Sequence, residues 1–79
     1  MIKKNNIKKI GVIGLGYVGL PLALNFGKVK NFLVYGFDND EYKVKSIEKG
    51  KSYISHISSS NIKTFIKKNK VTNNFSYIS

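Results

Sequence analysis

The chain has 79 residues, a single histidine, no cysteine and a formal net charge of +10. This length allows one small domain, which buries only about 60% of the surface of its unfolded chain. Because the composition rules out disulfides, thiolate metal sites, histidine clusters and a cysteine nucleophile, we expect no metal site.

The positive charge comes from fourteen lysines and no arginine, and it is spread along the chain. Arginine supplies the planar fork that recognises guanine and phosphate through paired hydrogen bonds. Dispersed lysine alone supports non-specific association, so we expect no nucleic-acid partner. The absence of cysteine suits a reducing compartment, and we expect a cytoplasmic protein.

The first predicted element is a strand over residues 9–13, after a polar, lysine-rich stretch over 1–7 that we expect to fray. Its nearly continuous apolar character is typical of a parallel strand covered on both faces. Lysines before an uncharged run over 10–26 also raise the hypothesis of a secretory signal. Glycines and Pro21 interrupt that run, which is shorter than the roughly 20 apolar residues of a membrane span. We therefore expect no membrane association.

Three glycines follow this strand at the spacing G-x-G-x-x-G, at Gly14, Gly16 and Gly19. In dinucleotide-binding proteins the first permits a tight turn, the second lets a diphosphate approach the backbone, and the third lets the next helix pack closely. The backbone N–H groups of Tyr17 and Val18 lie at the start of that helix, where unpaired donors and the helix dipole attract anions. The motif therefore predicts a seat for the phosphates of a dinucleotide.

The helix after the glycines is predicted over residues 17–28. Its apolar spacing places Val18, Leu22 and Phe26 on one face, with Ala23 beside them. Pro21 removes one N–H near the helix start, and we expect it to loosen the first turn without any chemical role.

A second apolar run, residues 32–37, predicts another buried strand, and Asp38 follows it. Asp38 lies nineteen positions after Gly19, close to the roughly 20 expected for the acidic residue that binds the adenosine ribose. The alternative is a helix cap, but Asp40 can fill that role and leave Asp38 for the ribose hydroxyls. A carboxylate about 4 Å from a 2′-phosphate, at an effective dielectric near 20, is repelled by about 4 kcal/mol. The predicted cofactor is therefore NAD.

The rest of the chain predicts two more helices and a third strand. A helix over 41–49 would bury Val44 and Ile47 and stop at Gly50, with Lys43 within reach of the adenosine ribose. A polar connection over 51–60 holds His56, for which we expect a local hydrogen bond in a loop. Then come helical turns capped by Ser59 or Ser60, whose predicted inner face consists of Ile62, Phe65 and Ile66. A turn over 71–74 and a strand from residue 75 onward follow.

Together these elements predict an α/β fold, the βαβαβ half of a doubly wound parallel sheet known as the Rossmann fold, with strand order 3-2-1. Residues 1–79 would form the N-terminal part of a dinucleotide-binding domain. One edge of the first strand and an apolar face of the first helix would be uncovered. We expect such a chain to be weakly stable or to self-associate.

Two segments resemble the UDP-glucose/GDP-mannose dehydrogenase family, nucleotide-sugar dehydrogenases that oxidise the primary alcohol of a UDP- or GDP-sugar to a uronic acid. The first is KIGVIGLGYVGLPLA at residues 9–23, and the second is GFDND at 36–40. The resemblance implies NAD contacts at Val18, Asp38 and Lys43 as well as at the glycines.

The segment KGKSYISHI at 49–57 is more similar to the branch that acts on UDP-N-acetylhexosamines. It lacks the acidic residue and the proline that usually follow the histidine position in the UDP-glucose branch. The resemblance thus implies a UDP-N-acetylglucosamine or UDP-N-acetylgalactosamine 6-dehydrogenase that serves surface polysaccharide synthesis.

Members of this family are several times longer, act as homo-oligomers on a UDP-sugar, and use a catalytic cysteine in a two-step oxidation with two NAD molecules. The present chain has no cysteine and stops before the catalytic and sugar-nucleotide domains would begin. We therefore expect no catalytic residue in it and no turnover from these 79 residues alone.

Two alternatives remain open. The 6-phosphogluconate and β-hydroxyacid dehydrogenases also begin with IGVIGLG, but their pattern usually has methionine where this chain has Val18. A basic nucleic-acid-binding module would lose affinity steeply between about 50 and 200 mM salt, whereas NAD binding would hardly change.

Overall fold

A computed structural model describes residues 6–78, so most of the segment expected to fray, 1–7, lies outside the described residues. The elements in chain order are β1 (Lys8–Ile13), α1 (Gly19–Gly27), β2 (Phe32–Phe37), α2 (Glu41–Glu48), α3 (Ser59–Ile66), β3 (Lys70–Thr72) and a short 3₁₀ helix (Phe75–Ile78). Strand β2 has the predicted bounds, and β1 begins one residue earlier than predicted. No helix within residues 6–78 has the length and apolar character needed to cross a membrane.

The three strands form one parallel sheet in the order β1-β2-β3, which confirms the predicted α/β fold and strand order. Val12 of β1 pairs with Gly36 of β2, and Gly36 pairs with Val71 of β3. Because side chains alternate along a strand, these residues share one face of the sheet. Helices pack on that face. The core between the sheet and these helices consists of Val12, Leu15, Leu20, Ala23, Leu24, Val34, Val44, Ile47, Ile54, Ile62, Phe65 and Val71.

Strand β1 is not covered on both faces, contrary to the sequence-based prediction. Val12 is buried, but Gly11 is exposed and the Ile13 side chain is 66% exposed. The buried side chains of α1 pack on the face of β1 that carries Val12. The first strand also forms an edge of the three-stranded sheet, as expected from the strand order.

The buried face of α1 is not the one that the spacing of Val18, Leu22 and Phe26 defines. Leu20, Ala23 and Leu24 are buried, whereas Val18 is 82% exposed and Leu22 is 44% exposed. Phe26 is half-buried. The helix is apolar around most of its circumference, so periodicity alone does not define its inner face; its close contact with the glycine turn sets its rotation instead.

Helices α2 and α3 largely follow the predictions. Val44 and Ile47 are buried as expected, and Gly50 ends α2 with a φ of 74°. The N–H groups of Gly50 and Lys51 donate to carbonyls of the last turn, which is a Schellman motif. The cap of α3 is Ser58, not Ser59 or Ser60; its hydroxyl accepts a hydrogen bond from the Asn61 amide. On the inner face of α3, Ile62 and Phe65 are buried and Ile66 is partly buried.

The third strand was predicted in the wrong place. It occupies Lys70–Thr72, which overlaps the turn expected over 71–74; of the strand expected from residue 75 onward, residues 75–78 form the 3₁₀ helix and residue 79 lies outside the described residues. The cause is Asn69, whose buried side chain accepts a 2.8 Å hydrogen bond from the Val34 amide and donates to the Phe65 carbonyl. This amide aligns the chain with β2 directly after α3, so that pairing begins at Lys70.

Candidate functional site

The glycine turn between β1 and α1 is shaped by two of its three glycines. Gly14 has a φ of 88°, a conformation that side-chain-bearing residues rarely adopt, and its amide donates to the Phe37 carbonyl at 2.7 Å. A Cβ at Gly19 would overlap the carbonyl oxygen of Gly14. The chain itself therefore requires glycine at both positions, one for the turn and one for close approach of α1.

Gly16 is different, because nothing within residues 6–78 excludes a side chain there. Its φ is not positive, and among these residues the one atom within 4 Å of a Cβ at this position would be the Lys43 Nζ, at 3.9 Å. Open space above bare backbone, beside an ammonium group, fits the close approach of a diphosphate. The residues of the turn thus suit the cofactor that the sequence predicts.

The start of α1 presents backbone donors next to Gly16. The Leu20 amide donates to the Gly16 carbonyl at 3.0 Å, so the amides of Tyr17 and Val18 precede the first hydrogen bond of the helix. Val18 occupies the N-cap position and provides no side-chain cap. Both side chains are largely exposed. The predicted phosphate-binding amides therefore lie at an accessible helix N-terminus.

Asp38 directly follows β2 and lies against this turn. Its carboxylate accepts hydrogen bonds from the Leu15 amide at Oδ2 and from the Asp40 amide at Oδ1, both at 2.8 Å. Burial alone would raise the pKa of Asp38, but these two hydrogen bonds and the Lys43 charge outweigh it and hold the pKa below 3.8. The group is therefore a carboxylate at neutral pH, with lone pairs left for further donors.

Asp40 caps α2, as predicted, by accepting a 3.0 Å hydrogen bond from the Tyr42 amide. Asp38 is thus not needed as the cap of α2. It has a structural partner that the sequence did not indicate, the Leu15 amide, in addition to its predicted ribose role, which stays a prediction.

Lys43 extends from the first turn of α2 toward the same place. Its Nζ lies 4.0 Å from the Asp38 Oδ2, and its side chain is 32% exposed. Since the ammonium also borders Gly16, it lies between the predicted ribose carboxylate and the predicted phosphate seat. The spacing of the sequence had placed Lys43 near the ribose alone.

The connection between α2 and α3 contributes two residues that the sequence did not assign to the site. The Tyr53 hydroxyl donates a 2.6 Å hydrogen bond to the Leu15 carbonyl. The His56 ring stacks on Tyr17, with ring centroids 6.2 Å apart. No sequence spacing indicates either contact, because Tyr53 binds a backbone atom 38 positions away.

Two depressions meet at Gly16 and Tyr17. A cleft of about 280 Å³ is also lined by Asp40, Tyr42, Lys43, Tyr53 and Ile54. A groove of about 570 Å³ extends the other way along β1 and α1, past Ile13 and Leu22. A dinucleotide has a nucleoside on each side of its diphosphate, and this arrangement offers room on each side of the glycine turn.

Comparison with known proteins identifies similar sequences. Over 53 residues, 67% of this chain and 12% of the relative, it is 45% identical to a UDP-N-acetyl-D-mannosamine dehydrogenase of Methanococcus aeolicus. Over 42 residues, 53% of this chain and 10% of the relative, it is 48% identical to a UDP-N-acetyl-D-glucosamine 6-dehydrogenase of Pseudomonas aeruginosa. It is also 36% identical to Protein CapL of Staphylococcus aureus over 71% of this chain and 13% of that protein.

The matched part of this chain spans about a tenth of the length of these relatives. No solved structure matches the chain significantly. The names of the first two relatives agree with the branch predicted from residues 49–57. A family model described as the NAD binding domain of the UDP-glucose/GDP-mannose dehydrogenase family matches residues 8–78, so the chain belongs to this family and carries sequence of its NAD-binding domain.

Proposed function

We propose that this chain is the NAD-binding segment of a nucleotide-sugar 6-dehydrogenase that oxidises a UDP-N-acetylhexosamine at its primary alcohol to the uronic acid. Bound NAD would accept hydride in that reaction. The contribution of this chain is to bind the adenosine and diphosphate and to hold them at the end of the sheet.

The observation that carries the proposal is the position of Asp38. Its carboxylate is fixed at the end of β2 by two backbone amides, directly beside the glycine turn. In Rossmann folds an acid at this point accepts hydrogen bonds from the ribose hydroxyls while the turn holds the pyrophosphate. A buried, ionised carboxylate also disfavours a 2′-phosphate, which supports NAD over NADP.

The remaining contacts follow from the same geometry. In the proposed complex, Gly14 and Gly19 shape the turn, and Gly16 leaves space for the diphosphate. The amides of Tyr17 and Val18 donate to the phosphates at the helix N-terminus. Lys43 adds a positive charge between phosphate and ribose.

The substrate class rests on the two relatives whose names specify UDP-N-acetylhexosamines and on the segment 49–57. In this proposal the sugar nucleotide binds to regions that only a longer protein contains, and residues 1–79 make up the N-terminal part of the cofactor domain. We further propose that the longer protein is a cytoplasmic homo-oligomer that serves surface polysaccharide synthesis, and that these 79 residues do not turn over substrate alone.

The proposal is tested by measuring the affinity of the 79-residue chain for NAD and NADP by isothermal titration calorimetry at two salt concentrations. We expect saturable NAD binding and NADP binding at least about tenfold weaker, because the Asp38 carboxylate repels the extra phosphate. NAD affinity should change little between about 50 and 200 mM salt, unlike lysine-driven binding to nucleic acid.

Equal affinity for NAD and NADP would contradict the ribose role of Asp38. Absence of NAD binding would contradict the cofactor role of the chain. Production of NADH from a UDP-N-acetylhexosamine by these 79 residues would contradict the proposal that turnover requires a longer protein.

A further inference from the structure

Both backbone polar groups of Leu15 are held by side chains from outside the glycine turn. Its amide donates to Asp38 Oδ2 at 2.8 Å, and its carbonyl accepts from the Tyr53 hydroxyl at 2.6 Å. Leu15 itself has no exposed surface. One of these hydrogen bonds comes from the end of β2 and the other from the connection between α2 and α3. Together they hold Leu15 from two sides.

The orientation of Leu15 sets the orientation of the residue that follows. The peptide bond between Leu15 and Gly16 is trans, so the Leu15 carbonyl and the Gly16 N–H lie in one plane and point in opposite directions. A hydrogen bond that fixes the carbonyl therefore fixes the direction of the Gly16 N–H as well. The Gly16 carbonyl in turn accepts the first hydrogen bond of α1, from the Leu20 amide. The amides of Tyr17 and Val18 lie in the chain between these two hydrogen-bonded residues.

We propose that Tyr53 is a positioning residue of the dinucleotide site, whose hydroxyl holds the Leu15–Gly16 peptide in the orientation that presents the phosphate-binding amides. This inference rests on the proposed function. It gives the connection between α2 and α3 a part in cofactor binding, through a residue that acts on the turn.

The hydroxyl is not needed to hold its own segment in place. Ile54, the next residue, is buried in the core, with 4% of its surface exposed. The Ser52 amide donates to the Ser59 hydroxyl at 3.1 Å, and the Ser52 hydroxyl donates to the Ile54 carbonyl at 2.8 Å. Because these contacts already anchor the segment, the bond from Tyr53 chiefly constrains the turn.

The hydroxyl is also suited to remain a donor. Burial raises the pKa of Tyr53, and the charges of Asp38 and Asp40 raise it further. If the hydroxyl were removed, the buried Leu15 carbonyl would lose its partner, and its peptide would rotate toward another donor. That rotation would reorient Gly16 and displace the phosphate-binding amides of Tyr17 and Val18 that follow it.

The test compares Tyr53→Phe with a matched control, Tyr35→Phe, which removes the same hydroxyl from a half-buried tyrosine of β2 outside the turn. Affinities for NAD, ADP and adenosine are measured by NMR titration of the ¹⁵N-labelled chain. We expect Tyr53→Phe to bind NAD and ADP about tenfold more weakly, the scale of one lost hydrogen bond in a buried site. Adenosine, which has no phosphate, should bind equally well to the wild type and to both variants.

A second readout needs no ligand. In Tyr53→Phe the amide signals of Gly16 and Tyr17 should shift, while those of α2 and α3 stay in place and the chain remains folded. Unchanged Gly16 signals, or unchanged NAD affinity in Tyr53→Phe, would overturn the inference and leave the proposed function standing. Unfolding of this variant, or an equal loss for NAD and adenosine, would also overturn it by showing a general structural role. If the wild type bound no NAD, the proposed function would fail, and the inference with it.

Discussion

The Asp38 carboxylate and the Leu15 backbone amide are joined by a 2.8 Å hydrogen bond across 23 positions of the chain. This bond ties the end of β2 to the turn that follows β1. An acidic residue here therefore stabilises the turn before any ribose is bound. Losing the acid would affect both the fold and the cofactor site.

We predict that this carboxylate makes the stability of the chain depend on pH in the acid range. The pKa of Asp38 is held below 3.8 in the folded state, so the folded state favours the ionised form. Its contribution is complete above pH 3.8 and is lost as pH falls through the lower folded-state pKa. Urea unfolding of the wild type between pH 6 and pH 2 should show this loss, and Asp38→Asn should show a smaller one.

The control for this prediction is Glu41→Gln. The pKa of Glu41 is also lowered, by a hydrogen bond and the charge of Lys45, but that ion pair is exposed to solvent and screened. This variant should keep most of the wild-type pH dependence. A pH profile for Asp38→Asn that superimposes on the wild type would contradict the role assigned to the buried carboxylate.

Gly16→Ala and Gly19→Ala are predicted to separate cofactor binding from folding. A Cβ has room at Gly16, so Gly16→Ala should change the free energy of unfolding by no more than about 0.5 kcal/mol. It should nevertheless weaken NAD binding by about tenfold or more, because the methyl group occupies the diphosphate seat. Gly19→Ala forces a Cβ into the Gly14 carbonyl and should cost about 2 kcal/mol of folding stability.

Urea unfolding and NAD titration of the two variants check this pair, and each serves as the control for the other. Strong destabilisation by Gly16→Ala would mean that the turn has less space than the structure shows. Full NAD affinity in Gly16→Ala would place the diphosphate elsewhere.

The sequence was sufficient for the parts of this fold that local patterns determine. Two apolar runs that end in a glycine motif and in Asp38 predict β1, β2 and the point where they meet, and Val44 with Ile47 predict the inner face of α2. The rotation of α1 was not predictable, because that helix is apolar on several sides. It is determined by the contact of Gly19 with Gly14, a tertiary effect.

The errors in the rest of the fold and site have a common physical cause. Strand β3 depends on one buried amide, Asn69, that hydrogen-bonds 35 positions back to Val34, and a lone asparagine carries no strand signal. Tyr53 likewise reaches the site through a bond to a backbone carbonyl. Backbone partners leave no residue type to match, so spacing rules identified Asp38 and Lys43 but not Tyr53.

Asn69→Leu is predicted to destabilise the chain by about 2–3 kcal/mol, because it leaves the buried Val34 amide without its acceptor. The side chain is similar in size, so lost hydrogen bonding rather than a cavity would be the cause. Urea unfolding checks this value. The matched control is Asn73→Leu at an exposed turn position, for which a change within about 0.5 kcal/mol is expected. Equal effects of the two substitutions would contradict the role of Asn69 in starting β3.

Finally, the open edge of β1 and the groove beside it predict weak self-association of the chain. Leu22 and Ile13 line this groove and are exposed, and an edge strand leaves backbone groups unpaired. The net charge of +10 opposes association, so raising the salt concentration from about 50 to 500 mM should strengthen it by screening. Sedimentation velocity over a tenfold range of protein concentration checks both effects.

Leu22→Lys should reduce association more than Val29→Lys, which adds the same charge at a similarly exposed position outside the groove. A chain that stays monomeric at every concentration and salt, or equal effects of the two lysine substitutions, would contradict the prediction that this face is the one through which copies meet.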